Sequence, residues 1–229
     1  MQLLKKRGIL IFWFVLIIDC YFIYSGQELY RIATKTVLVP ILLFYIFLNA
    51  RKNYYKNTKT FIFLAFISAW LGDILLLNKG NTFFLLGMVA FMCAHILFAL
   101  TFYRIHKLQI FKSQEAFITA LILVFLCFEL YKFITPGLGE FFKIPVIIYM
   151  VAISTMVITV ANLLSSSARK TSAMMYFLPG AALFVISDAL LALQTFMFSD
   201  IDLLSISVML SYGYALSLFS DGFSKLLKG

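Results

Sequence analysis

The segment AWLGDILLL, residues 69–77, places one carboxylate, Asp73, inside a run that is otherwise apolar. A membrane-spanning helix needs about 20 predominantly apolar residues, and this segment belongs to such a run at residues 60–77. An ionisable side chain inside a membrane costs several kcal/mol unless it faces the interior of a helix bundle or a water-filled cavity. The segment therefore predicts a membrane helix whose Asp73 faces protein rather than lipid.

The composition extends this prediction to the whole chain. Its 229 residues are 63% hydrophobic and 13% charged, with a mean hydropathy of +0.99, whereas soluble domains are about a quarter charged. Eight apolar runs approach spanning length, and they cover residues 8–25, 32–50, 60–77, 82–103, 116–134, 144–164, 174–198 and 203–223. We therefore expect an all-α, polytopic membrane helix bundle of about eight transmembrane helices, forming a single domain over residues 1–229.

The positive charges give the chain an orientation. With eight spans, fourteen of the nineteen Lys and Arg residues lie in or beside the connections on one side. Connections rich in Lys and Arg stay in the cytoplasm, so both termini are predicted to be cytoplasmic. The same asymmetry accounts for most of the net charge of +9. No basic stretch is long, helical and interleaved with polar residues, so we expect no nucleic-acid partner.

A second segment resembles the first. The fragment LGDILLL recurs in a loose form as ISDALLAL at residues 186–193, and Asp188 follows Asp73 by about half the length of the chain. Each acid lies in the third span of a four-span half. This echo suggests a 4+4 parallel pseudo-repeat, which would put the two acids in equivalent places.

Seven ionisable residues within the predicted spans are candidates for function, namely Asp19, Lys35, Asp73, His95, Glu129, Asp188 and Asp221. Small residues at helical spacing precede Asp73 and allow another helix to approach closely; they are Ala65, Ser68, Ala69 and Gly72. Asp73 and Asp188 are candidates both for a hydrogen bond that fixes helix packing and for chemistry. Asp19 and Glu129 lie in the outer halves of their spans, so a polar cluster with Lys35 and Asp73 is geometrically possible.

The sequence gives no indication of metal chemistry. Two histidines are too few for a three-histidine zinc site, and neither an HExxH nor a GxSxG motif occurs. We expect neither a metal nor a cofactor. His95, which lies inside a span, is a candidate for positioning or proton transfer.

Three segments together resemble the YhhN-type membrane proteins, whose animal relatives are lysoplasmalogenases. They are SAWLGDILLL, FFLLGMVAFMCAHILF and PGAALFVISDALLAL, and they contain Gly72-Asp73, the run of Gly87, Phe91 and His95, and Ser187-Asp188. Thr34-Lys35 matches a further threonine-lysine of the family. In the last span, Tyr212 and Ala215 follow the family pattern, but Leu216 stands where a glutamine is often found.

The resemblance implies an enzyme of a bacterial inner (plasma) membrane that acts on a lysophospholipid within membrane lipid. The implied reaction is hydrolysis of the vinyl ether bond of a lysoplasmalogen to a fatty aldehyde and a glycerophospho-alcohol. Such a bond is cleaved by protonation of its β-carbon and addition of water, which needs one neutral acid and one charged base. Apolar surroundings favour the neutral form of a carboxyl group, and a second acid nearby reinforces the effect.

We therefore predict that Asp73 and Asp188 are the catalytic acid/base pair, sharing one proton, and the sequence does not assign acid and base between them. His95 is predicted to orient or relay, and Lys35 to meet the substrate phosphate. Ser187 and Tyr212 are predicted to support the site or bind substrate.

Two other function classes use the same residues. The first is a proton-coupled transporter or flippase of a small amphiphile, in which the two acids carry protons. The second is a structural membrane protein whose acids fix packing. Only an enzyme releases a product, so an aldehyde assay separates it from the other two.

Overall fold

The computed structural model describes residues 2–50, 56–111, 113–198 and 201–228. The helices there are α1 (Gln2–Tyr24), α2 (Glu28–Asn49), α3 (Lys56–Leu75), α4 (Asn81–Ile105), α5 (Gln114–Ile134), α6 (Glu140–Asn162), α7 (Lys170–Phe196) and α8 (Asp202–Lys228). All eight are long and apolar enough to cross a membrane. The predicted all-α membrane bundle is confirmed. The single domain, the cytoplasmic termini and the type of membrane stay predictions.

Several helices extend beyond the apolar runs that predicted them. Helix α2 begins at Glu28 rather than at residue 32, and α8 continues to Lys228 rather than ending at residue 223. Hydropathy marks the stretch suited to lipid, whereas backbone hydrogen bonding continues into the polar interface. Glu28 in a first turn and Lys228 in a last turn also complement the helix dipole.

The helices pack mainly as sequential pairs, and the pairs meet around the centre of the bundle. Helix α1 packs on α2, α3 on α4, and α7 on α8, while α4 also packs on α6 and α8 on α1 and α2. Helix α5 is peripheral and packs mainly on α6. Helix α7 contains a π-helical segment, Ala173–Phe177, and continues as a regular α-helix through Asp188.

An aromatic cluster fills the half of the bundle nearer the termini. Its members from α4, α7 and α8 are all essentially buried, and they are Phe98, Phe102, Phe177, Phe184, Phe219 and Phe223. The rings of Phe102 and Phe177 lie 5.0 Å apart, as do those of Phe98 and Phe219. Edge-to-face aromatic pairs stabilise a protein beyond the effect of the area that they bury. The bundle is therefore closely packed in the half nearer the termini.

Two glycines set the close approach of α3 and α4. A Cβ atom at Gly72 would lie 2.7 Å from the ring of Phe91, and a Cβ atom at Gly87 would lie 2.8 Å from Leu76. Gly72 therefore accommodates Phe91 of α4, and Gly87 accommodates Leu76, which directly follows α3. The small residues that precede Asp73 do face protein as predicted, because Ala65 and Ala69 are fully buried.

We expect Gly72→Ala to destabilise the protein by about 1–3 kcal/mol, because the added methyl group overpacks the contact with Phe91. Thermal unfolding in detergent measures the effect as a lower Tm. Gly139→Ala is the matched control, since nothing lies within 4 Å of a Cβ atom at that position. An unchanged Tm for Gly72→Ala would show that the interface is looser than this packing implies.

Candidate active site

Asp73 is buried near the C-terminal end of α3 and is held through both carboxyl oxygens. The Tyr212 hydroxyl donates to Oδ2 at 2.7 Å, and Lys35 Nζ lies 3.7 Å from Oδ1. Asp73 is 2% exposed and Lys35 is 5% exposed. The ammonium group therefore supplies the counter-charge that an ionised Asp73 requires in these surroundings.

Asp188, in the middle of α7, is held through one oxygen. The Tyr149 hydroxyl donates to Oδ2 at 2.7 Å. His95 Nε2 lies 3.0 Å from the same Oδ2 and 3.0 Å from the Tyr149 hydroxyl oxygen. Over the described ranges no hydrogen bond uses Oδ1 of Asp188. Since both partners contact Oδ2, the other oxygen is available to a substrate.

Both acids line one cavity of about 640 Å³. Its mouth is formed by the connections between α3 and α4 and between α5 and α6, together with the end of α7 and the start of α8. After an even number of crossings the termini share one face, so this mouth opens at the opposite face. Arg31, Lys79 and Asn78 give the mouth a polar and partly cationic lining.

A second, narrower cavity of about 80 Å³ adjoins the first one and is almost entirely apolar. The two cavities share six lining residues, which are Leu76, Phe84, Phe91, Asp188, Leu191 and Phe196. Asp188 therefore lies between a polar chamber and an apolar slot. Asp73 lines only the polar chamber and not the slot.

Gly87, Phe91 and His95 lie along one face of α4, because they are four residues apart. Gly87 accommodates Leu76, and Phe91 packs edge-on against the Tyr212 ring at 5.7 Å. His95, one turn further, reaches Asp188. The motif thus joins α4 to α3, α8 and α7 in turn.

The two acids take their partners from corresponding helices. Asp73 is held from α2 and α8, and Asp188 from α6 and α4. If α5–α8 repeat α1–α4, each acid is bound by the second helix of its own half and by the last helix of the other half. This pattern supports the 4+4 parallel pseudo-repeat.

The YhhN family model matches residues 30–223. The chain belongs to the YhhN family. No curated protein and no solved structure matches it. The matched range includes α3 to α7 in full, most of α2 and α8, and both acids.

Most of the residues singled out in this YhhN protein meet at the two cavities, although their roles stay predictions. Ser187 lines the polar chamber, but its hydroxyl donates to the Val208 carbonyl oxygen and so joins α7 to α8. No hydrogen bond between the carboxyl groups of Asp73 and Asp188 occurs within the described residues, so direct sharing of a proton has no geometric support.

Three further expectations of the sequence have different outcomes. Asp19 is fully buried and accepts a hydrogen bond from Thr34 at 2.5 Å, so it does lie near Lys35. Glu129 is exposed on α5, outside both cavities, because the peripheral helix turns that face away from the bundle. Leu216 is fully buried and lines neither cavity.

The sequence did not single out three residues of the YhhN site, namely Tyr149, Arg31 and Lys79. Tyr149 was detectable through the repeat, because it lies in α6 close to the position equivalent to Lys35 in α2. Arg31 lies one helical turn before Lys35 and was a candidate by the same reasoning. Lys79 lies in a connection outside the membrane spans. A charged residue there carries no burial cost, so its presence does not indicate a functional site.

Proposed function

We propose that this YhhN-family protein hydrolyses the vinyl ether bond of lysoplasmalogens to a fatty aldehyde and a glycerophospho-alcohol. The observation that carries the proposal is the position of the two acids. Asp188 lies where a polar chamber meets an apolar slot, and Asp73 lines the polar chamber. A lysoplasmalogen has the same division, because its vinyl ether joins a hydrocarbon chain to a polar glycerophosphate.

The mouth of the polar chamber suits the phosphate. Arg31 and Lys79 line it, and Arg31 Nε is buried with no hydrogen-bond partner among the described residues. A guanidinium group matches the geometry of phosphate oxygens. Lys35 pairs with Asp73 and Lys79 pairs with Glu28, whereas Arg31 Nε has no partner among the described residues. Arg31 is therefore better placed for the phosphate than either lysine.

In this proposal Asp188 acts as the acid. The β-carbon of the vinyl ether belongs to the hydrocarbon side of the bond, and Asp188 is the acid that borders the apolar slot. A proton on its free Oδ1 would transfer to this carbon and leave an oxocarbenium ion at the carbon that bears the ether oxygen. The contacts of Oδ2 with Tyr149 and His95 would hold the carboxyl group in position.

In this proposal Asp73 acts as the base. Water from the polar chamber adds to the oxocarbenium carbon and gives its proton to the Asp73 carboxylate, which Lys35 and Tyr212 position. The resulting hemiacetal breaks its bond to the glycerol oxygen, which takes the proton held by Asp73. The hemiacetal hydroxyl gives its own proton to Asp188 and becomes the carbonyl of the aldehyde, so both acids return to their starting states. One water is consumed, and the proton that Asp188 gave to carbon is balanced by the proton released from water.

The aromatic cluster at the end of the cavity opposite its mouth favours an enzyme over a carrier. Alternating access requires a second opening on the other face. On that side the space is filled by the essentially buried rings of the aromatic cluster, and the ring of Phe184 packs against His95 at 5.6 Å. A carrier would have to separate these rings in every cycle, whereas a hydrolase can take in substrate and release products through one mouth.

The proposal is tested by incubating purified protein in D₂O with a lysoplasmalogen and trapping the aldehyde as an oxime. Because the β-carbon takes its new hydrogen from solvent, we expect one deuterium at the α-carbon of the aldehyde. The alkyl ether analogue should remain intact, since it has no double bond to protonate. Absence of aldehyde, or aldehyde without this deuterium, would contradict the proposed chemistry.

A further inference from the structure

The narrow cavity has a composition that suits hydrocarbon. Apart from Asp188, Tyr149 and Cys127, its lining is apolar. The apolar side chains come from four helices, α4, α5, α6 and α7, and from Leu76, which directly follows α3. A water molecule in such a slot would have few polar partners, so the slot favours apolar contents.

The slot lies between two helices that do not pack tightly together. Met88 on α4 and Leu130 on α5 both line it, yet in the described part of the chain α5 packs mainly on α6. In the pseudo-repeat, α5 corresponds to α1, and α1 packs against α8. The symmetry is thus broken where α5 stands away from α4, which leaves a seam beside Asp188.

We propose that this seam is the entry and binding site for the single hydrocarbon chain of the substrate, which slides in sideways from the lipid between α4 and α5. The inference rests on the proposed function and adds to it the route of entry and the subsite that holds the chain. The slot is narrow and holds only the part of the chain next to the vinyl ether. The rest of the chain lies along the apolar outer surfaces of α4 and α5, where Val89 and Leu126 are exposed.

The test fills the slot from either side, with Leu130→Trp on α5 and Met88→Trp on α4. For long-chain alkenyl lysolipids we expect kcat/KM to fall by at least about tenfold, because the chain loses its apolar subsite. A water-soluble vinyl ether whose β-carbon carries no hydrocarbon chain should be cleaved within about twofold of the wild-type rate, since it places nothing in the slot. Val124→Trp is the matched control on α5, because Val124 is 71% exposed.

A second measurement does not depend on turnover. A non-cleavable alkyl ether lysophospholipid with a photoreactive diazirine in its chain should label α4 and α5 near Met88 and Leu130, and Leu130→Trp should remove the label. Labelling elsewhere, or equal losses of activity with the long-chain lysolipid and with the vinyl ether that has no chain, would contradict the proposed slot. If aldehyde is never formed but labelling follows this pattern, the slot stands and the proposed reaction fails.

Discussion

Replacing Asp188 by asparagine will lower aldehyde release by about 10²–10⁴-fold, the usual contribution of a general acid or base. The amide has the shape of the carboxyl group but cannot protonate carbon. It can still contact Tyr149 and His95, so the fold should persist, and the melting temperature should stay the same or rise, as is common when a functional polar group is removed. Initial rates with a lysoplasmalogen and thermal melts in detergent measure both effects.

Glu129→Gln is the matched control for this experiment. Glu129 is also an acid within a membrane span, but it is exposed on α5 and lines neither cavity. Its replacement should leave activity unchanged. If Asp188→Asn kept the wild-type rate, Asp188 would not be the acid, and its contacts would serve packing alone.

The sequence predicted those site residues whose charged side chains are costly to bury in a membrane helix. An acid in an apolar run must face protein, which correctly indicated that Asp73 and Asp188 point inward. The same reasoning failed for Glu129, because α5 is apolar on every face and its sequence does not indicate which side meets the bundle. Tyr149 was not singled out because a tyrosine carries no charge. Its burial in a membrane helix costs little free energy, so it does not stand out in the sequence.

Long-range packing was also outside the reach of the sequence. The contact of α4 with α6 brings His95 to Tyr149, and no linear pattern encodes it. The repeat predicted equivalent places for the acids, but not their different partners. A lysine holds Asp73, whereas a tyrosine from the equivalent helix holds Asp188. Divergence within the repeat thus gives two similar acids different surroundings, as an acid and a base require.

Replacing Lys35 by methionine will lower the free energy of unfolding by about 3–5 kcal/mol, because it leaves Asp73 buried without its counter-charge. Methionine keeps much of the length of the side chain, so the loss reflects charge rather than volume. Denaturant titration in mixed micelles measures it. We also expect activity to fall, since the base loses the group that holds one of its oxygens.

The double variant Lys35→Met with Asp73→Asn separates charge pairing from packing. Neutral asparagine needs no counter-charge and can still accept a hydrogen bond from Tyr212, so the double variant should recover most of the stability lost in Lys35→Met. It should not recover activity, because the base is gone. If the two substitutions were instead additive in stability, Lys35 and Asp73 would not act as a pair. Stability that returns without activity would show that the ammonium group balances the charge of Asp73, while the carboxylate itself is needed for the chemistry.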